Sequence, residues 1–75
     1  MNDLARLSRE AQKYKDMYPK GTRIELISMD DQYAPIEPGT KGTVEFVDDM
    51  GQIHMKWDNG RTLALVPGED SFRKI

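Results

Sequence analysis

The sequence predicts a mainly β protein: a small barrel of four to five strands, preceded by one amphipathic α-helix. Two observations support this fold class. Apolar residues recur at every third or fourth position up to Tyr18, which is the period of a helix, and at every second position from Gly21 onward, which is the period of a strand. Turn-forming residues then divide this second part into short runs, as in small all-β domains. A chain of 75 residues is long enough for one such domain.

Residues 1–18 are predicted to form the helix. Its apolar stripe has spacings of three and four and consists of Leu4, Leu7, Ala11, Tyr14 and Tyr18. Asp3 is suited to capping the first N–H groups of the helix. Pro19 ends the helix, because the residue before a proline is disfavoured in the α region.

An amphipathic helix of about 15 residues is marginal alone in water, so its stripe needs a surface to lie on. We expect it to pack against the barrel of its own chain, as a monomer. Two alternatives stay open. One is contact with an external partner, and the other is pairing of two chains into a homodimer through the heptad-like positions Leu4, Leu7, Ala11 and Tyr14.

Residues 19–75 are predicted to form the barrel. The first strand alternates cleanly, with Ile24 and Leu26 facing inward between charged neighbours. A long loop follows, over about residues 29–41, and contains a Pro-Gly pair that is favoured at the centre of a type II turn. Three further strands are predicted at residues 43–47, 52–57 and 61–66, and a short closing strand ends at Ile75.

Tight turns join these strands. An Asn-Gly pair before residues 61–66 is the strongest short-range signal of a hairpin. Trp57 shares the inward face of its strand with Ile53 and Met55, so we expect it in the core rather than in an aromatic ligand groove. The order of a long first loop, two hairpins, a break and a closing strand fits an SH3-like barrel, whose closure removes exposed strand edges.

Four stretches of the chain resemble a family of short bacterial proteins classed as a domain of unknown function. They are residues 18–24 (YPKGTRI), 38–44 (PGTKGTV), 57–60 (WDNG) and 67–70 (PGED). The resemblance begins at Tyr18, with the helix largely outside it. It implies an SH3-like barrel and an origin in Gram-positive bacteria, their phages and integrated mobile elements. It implies no activity and no site residues.

Composition excludes several kinds of site. The chain has no cysteine and one histidine, His54, so disulfides and structural Cys/His metal centres are excluded by counting. Strand alternation places His54 on the outer face as a solvated residue, without the buried carboxylate that a catalytic triad requires. We therefore expect no enzyme, no catalytic residues, no cofactor and no metal. No apolar run suits a membrane span or a signal peptide, so we expect a cytoplasmic protein with no membrane partner.

Charge suggests a protein partner. Residues 21–75 carry ten acids and six cations, a net charge of −4. We expect a binding module that covers a basic surface of a host protein, in its sharpest form by inhibiting a nucleic-acid-dependent defence enzyme. The candidate protein-binding residues are Asp30, Asp31, Tyr33, Glu37, Asp48 and Asp49.

Two other functions compete with this one. The barrel could bind nucleic acid through Lys41, Lys56, Arg61 and Arg73, although an acidic body disfavours contact with phosphates. A multimeric barrel could instead sequester a nucleotide with Lys56, Arg61 and Tyr33. The stretch from Gly39 to Gly42 is interpreted as a turn and strand entry, because it does not match a phosphate-binding loop.

Overall fold

The computed structural model describes residues 3–75, with side chains from Ala5 onward. The described residues form one helix and four strands: α1 (Asp3–Met17), β1 (Arg23–Ser28), β2 (Lys41–Val47), β3 (Ile53–Trp57) and β4 (Ser71–Lys74). The mainly β class and the N-terminal helix are therefore confirmed. The helix ends at Met17, two residues before Pro19, as the proline rule predicts.

The four strands form one antiparallel sheet in the order β3-β2-β1-β4. Within residues 3–75 the edge strands β3 and β4 do not pair with each other, so the sheet is open. Two irregularities interrupt its ladders, one in β1 between Leu26 and Ser28 and one in β2 between Val44 and Phe46. Bulges of this kind bend a strand and increase its twist, which curls the sheet around its inner face.

The predicted fourth strand, residues 61–66, is not a regular strand. It runs beside β3 and is bonded to it near both ends: Arg61 C=O accepts the N–H of Trp57, and Leu65 exchanges two bonds with Ile53. Between these points the carbonyl of Leu63 accepts the indole N–H of Trp57, at 2.8 Å. The hairpin was predicted correctly, but the ladder is interrupted because a buried indole needs an acceptor.

The core lies on the inner face of the sheet. It consists of Ile24, Leu26, Ile36, Val44, Val47, Ile53, Met55, Trp57 and Leu65. Trp57 is 1% exposed, which confirms the prediction that it is a core residue. Ile36 reaches the core from the long loop after β1 and so ties that loop to the sheet.

The second half of α1 packs against this core. Ala11 is 2% exposed, and Tyr14 and Tyr18 lie against the core cluster. Leu7 is 37% exposed, whereas the side chain of Leu4 lies outside the described residues. Of the four residues considered for pairing of two chains, Ala11 is thus covered and Tyr14 partly covered by the same chain, beside the turn residue Gly51.

Gly42 of β2 packs tightly against side chains of β3. A Cβ atom placed there would lie 2.7 Å from Cε3 of Trp57 and 3.1 Å from Cε of Met55. Its φ is not in the left-handed region, so an alanine could adopt its backbone conformation. Glycine is therefore required at this position by the indole that lies against it. The prediction that residues 39–42 lead into a strand agrees with this position, since β2 begins at Lys41 and Gly42 is buried.

Gly42→Ala should lower the free energy of unfolding by roughly 1–3 kcal/mol, as overpacking of a dense core does. Thr43→Ala, on the opposite face of the same strand, should cost less. Combining Gly42→Ala with Trp57→Phe should give less than the sum of the two effects, because the smaller ring leaves room for the new methyl group. Urea titrations of the four variants would measure this, and full additivity would contradict the packing argument.

Candidate functional site

A cleft of about 380 Å³ opens between the long loop after β1 and the segment that leads into β4. Its apolar lining consists of Met29, Leu63, Ala64 and Val66. Four carboxylates share the lining, those of Asp30, Asp31, Glu69 and Asp70, together with Gln32 and Tyr33. None of the described residues that line this cleft is basic. The cleft therefore combines an apolar surface with uncompensated negative charge.

Asp70 holds the two sides of the cleft together. Its Oδ1 accepts the N–H of Asp30 at 2.8 Å, and its Oδ2 accepts the N–H of Val66 at 2.8 Å. One side chain thus joins the loop to the segment before β4. Both of its carboxylate oxygens thus accept hydrogen bonds from backbone donors.

Two further side chains fix the long loop. Oδ1 of Asp31 accepts the N–H groups of Tyr33 and Ala34, which is the usual way an aspartate stabilises its own turn. The guanidinium of Arg61 donates to the carbonyls of Ala34 and Pro35, at 2.6 and 3.1 Å. The loop is consequently held at two places, the turn that begins at Asp31 and the backbone of Ala34 and Pro35.

After these bonds, two cleft carboxylates keep their full acceptor capacity. The side chains of Asp30 and Glu69 make no hydrogen bond or ion pair with any residue in the described part of the chain. Tyr33 is 95% exposed beside them. A rigid aromatic ring that is this exposed is a typical anchor residue of protein interfaces.

The structure brings together three of the six predicted protein-binding residues, Asp30, Asp31 and Tyr33. Glu37 is exposed on the same loop but does not line the cleft. Asp48 and Asp49 lie in the turn between β2 and β3, where Asp49 pairs with Lys15 of α1 at 2.7 Å. The acidic candidates therefore form two separate groups.

Asp48, another predicted protein-binding residue, uses its carboxylate to accept bonds within its own turn. Its Oδ1 accepts the N–H groups of Met50 and Gln52, both at 2.9 Å, and its Oδ2 lies 2.8 Å from Nε2 of His54. Partial burial raises the pKa of this carboxyl, but the bonds from His54, Gln52 and Met50 outweigh that effect and hold the pKa below 3.8, its ordinary value.

His54 is more constrained than the predicted solvated strand residue. Since a carboxylate can only accept, Nε2 of His54 carries the proton that it shares with Asp48. The imidazole also stacks on the ring of Phe46, with centroids 4.2 Å apart and planes inclined by 8°. Both rings lie on the outer face of the sheet, the side away from the core.

Three of the four predicted cationic residues share this outer face: Lys41, Lys56 and Arg73. Arg73 is bonded to Glu25 on the neighbouring strand, at 2.6 and 2.8 Å. Arg61 is not part of the group, because its guanidinium is occupied by the loop carbonyls.

Arg23 adds a cation to the outer face that the sequence did not indicate as a site residue. It donates to both carboxylate oxygens of Asp58, at 2.8 and 2.7 Å. This bonding raises the pKa of the Arg23 guanidinium and lowers the pKa of the Asp58 carboxyl. Glu69 and Asp70 were also not among the site residues predicted from the sequence. The residues around this acid pair indicated a turn and nothing more.

Across residues 3–75, no group of three or more histidine, aspartate or glutamate side chains is arranged to hold a metal ion. No helix in this range is long and apolar enough to cross a membrane.

Fold and site together define a small mainly β protein with an acidic surface cleft. The chain belongs to the family described as Domain of unknown function (DUF4314), which it matches over residues 8–75. A search of curated proteins gave no match. The match starts at Ser8 inside α1 rather than at Tyr18, so the expectation that the helix lies largely outside the family was wrong. Within this matched part of α1, Tyr14 packs against the core and Ala11 is buried beside Gly51.

Asp48→Asn should destabilise the protein by roughly 1–2 kcal/mol near pH 7, since a charged acceptor of three bonds is lost. The lowered pKa of Asp48 determines how the stabilisation depends on pH. The contribution of this carboxylate to the free energy of unfolding is complete above pH 3.8 and is lost as the pH falls below that value. The difference in free energy of unfolding between the wild type and Asp48→Asn should therefore become smaller in acid.

Urea titrations from neutral pH to about pH 2.5 would follow this difference through the transition. Asp49→Asn is the matched control, because among the described residues its exposed carboxylate is bonded to Lys15 alone, and the change should alter stability little at any pH. If Asp48→Asn lowered the free energy of unfolding by the same amount at every pH, the assignment of Asp48 as an ionised acceptor would be contradicted.

Proposed function

We propose that the protein is a non-enzymatic binding module whose acidic cleft takes a basic segment of a partner protein. One observation carries the proposal: four carboxylates and four apolar side chains line the same cleft, with no basic residue among its described lining. In this proposal the partner is a host protein, and binding modulates or inhibits it. A nucleic-acid-dependent defence enzyme is the sharpest candidate, since such enzymes present basic surfaces.

The chemistry of the cleft suits a lysine or arginine side chain. The aliphatic stem of such a residue can lie on Met29, Leu63 and Val66, while its charged end reaches Asp30 and Glu69. Hydrogen bonds between charged groups are about twice as strong as neutral ones, and both carboxylates keep all their acceptor sites. Tyr33 supplies aromatic contact area beside the charged pair.

Strand order supports assignment of the open sheet to the SH3-like barrels. β1 lies between β2 and β4, and residues 61–66 extend the sheet beyond β3 through Arg61 and Leu65. The long first loop and the turn before β4 lie at the same end of this arrangement and form the cleft. A cytoplasmic setting, expected from the sequence, and an origin in phages or mobile elements of Gram-positive bacteria, implied by the resemblance, are part of the proposal.

A charge-reversal pair tests the proposal. Asp30→Lys with Glu69→Lys should weaken binding of short arginine- and lysine-containing peptides at least tenfold, because each removes a charge-assisted contact. Glu37→Lys with Asp49→Lys makes the same change in net charge outside the cleft and should leave affinity nearly unchanged. Titrations followed by amide chemical shifts would give affinities and locate the contact.

Wild-type shifts should concentrate on Leu63, Val66 and the loop from Met29 to Tyr33. A partner recovered from host extract should then show the same order of affinities with the purified variants. Equal loss of affinity from both pairs would mean that net charge alone governs binding, and the cleft would be rejected as the site. Shifts confined to other surfaces would reject it as well.

A further inference from the structure

The Phe46–His54 stack is an exposed aromatic platform on the outer face of the sheet. Phe46 is 52% exposed although one face of its ring is covered by His54, so the opposite face is open to solvent. The hydrogen bond from His54 to Asp48 fixes the imidazole ring of the stack. The platform is therefore held in place without a ligand.

Two lysines without an ion pair among the described residues share this face: Lys56 lies near the platform, and Lys41 lies further along β2, opposite Glu25 of β1. Lys56 is two residues from His54 on β3 and is paired across the ladder with Thr43 of β2. Lys41 is two residues further along β2. Neither lysine forms an ion pair within 4.0 Å in the described part of the chain, whereas Arg23 and Arg73 are bound to Asp58 and Glu25.

The outer face is also the less acidic part of the body. This face carries four cations, Arg23, Lys41, Lys56 and Arg73, and four acids: Glu25, the bulge residue Glu45, the hairpin acid Asp58, and Asp48, whose carboxylate is bonded to His54. Its net charge is zero, against −4 for residues 21–75 as a whole. The acids of the body are thus concentrated elsewhere, and the cleft shares no residue with this face.

We propose that the outer face binds single-stranded nucleic acid, with a base stacked on Phe46 and phosphates contacted by Lys41 and Lys56. Single-strand binding proteins combine these two elements, a stacking ring and cations that follow the backbone. A duplex hides its base faces and could use only the cations. This site is independent of the proposed protein-binding cleft.

The salt dependence of binding gives a quantitative test. Two phosphate contacts on a single strand predict a slope of about −1.4 in a plot of log affinity against log salt. Lys41→Gln or Lys56→Gln should each reduce the slope to about −0.7. Lys20→Gln, an exposed lysine outside the sheet, is the control and should keep the wild-type slope.

The aromatic element is tested separately. Phe46→Leu should weaken binding roughly 5- to 150-fold, the range that stacking one base is worth, while Phe46→Trp should retain it. Tyr33→Leu makes the equivalent change in the cleft and should have no effect. Fluorescence anisotropy with oligothymidylate and oligouridylate of about 12 nucleotides, and with a duplex of the same length, would measure all variants. Thermal melts would confirm that each variant is folded.

Single-strand binding that is stronger than duplex binding and is lost in folded Phe46→Leu supports the site. Equal binding of duplex, or an equal loss in Tyr33→Leu, would overturn it. The absence of binding at about 20 mM salt, where phosphate contacts are strongest, would overturn it too. The cleft variants Asp30→Lys with Glu69→Lys should not weaken oligonucleotide binding, so failure of one site is distinguishable from failure of the other.

Discussion

The indole of Trp57 is the group on which most of this structure depends. It fills the core beneath β2 and β3, and its ring requires a glycine at position 42. Its N–H must find an acceptor because a buried donor without one is costly, and it takes the carbonyl of Leu63. Residues 61–66 run beside β3 without forming a regular ladder. Leu63 also lines the cleft, so the core and the candidate site meet at this residue.

The acidic residues divide according to what they accept. Asp31, Asp48 and Asp70 take backbone N–H groups and fix turns or join segments, so their charges stabilise the fold. Asp30 and Glu69 accept nothing among the described residues and project into the cleft lining. A negative net charge alone would not distinguish these two groups. The acids that make no such bond among the described residues, Asp30 and Glu69, are therefore the ones available for the proposed binding.

Charge is distributed unevenly over the two surfaces of the body. The cleft gathers carboxylates at the long loop and the turn before β4, whereas the outer face holds lysines and paired arginines. Each surface has an exposed aromatic ring, Tyr33 in one case and Phe46 in the other. In the two proposals one acidic protein carries a cation-binding and an anion-binding surface, because local charge rather than net charge acts at contact distance.

The sequence by itself determined the helix, its end before Pro19, the mainly β class and the burial of Trp57, since each follows from local periodicity or from the chemistry of one residue. Tertiary structure decided the rest. Simple alternation would place Phe46 inward with Val44, but the bulge between them turns Phe46 outward onto His54. Asp70 meets Asp30 across 40 positions of sequence, and the guanidinium of Arg61 turns away from the other cations to bind loop carbonyls. Such contacts depend on how loops fold back on the sheet, which no local pattern specifies.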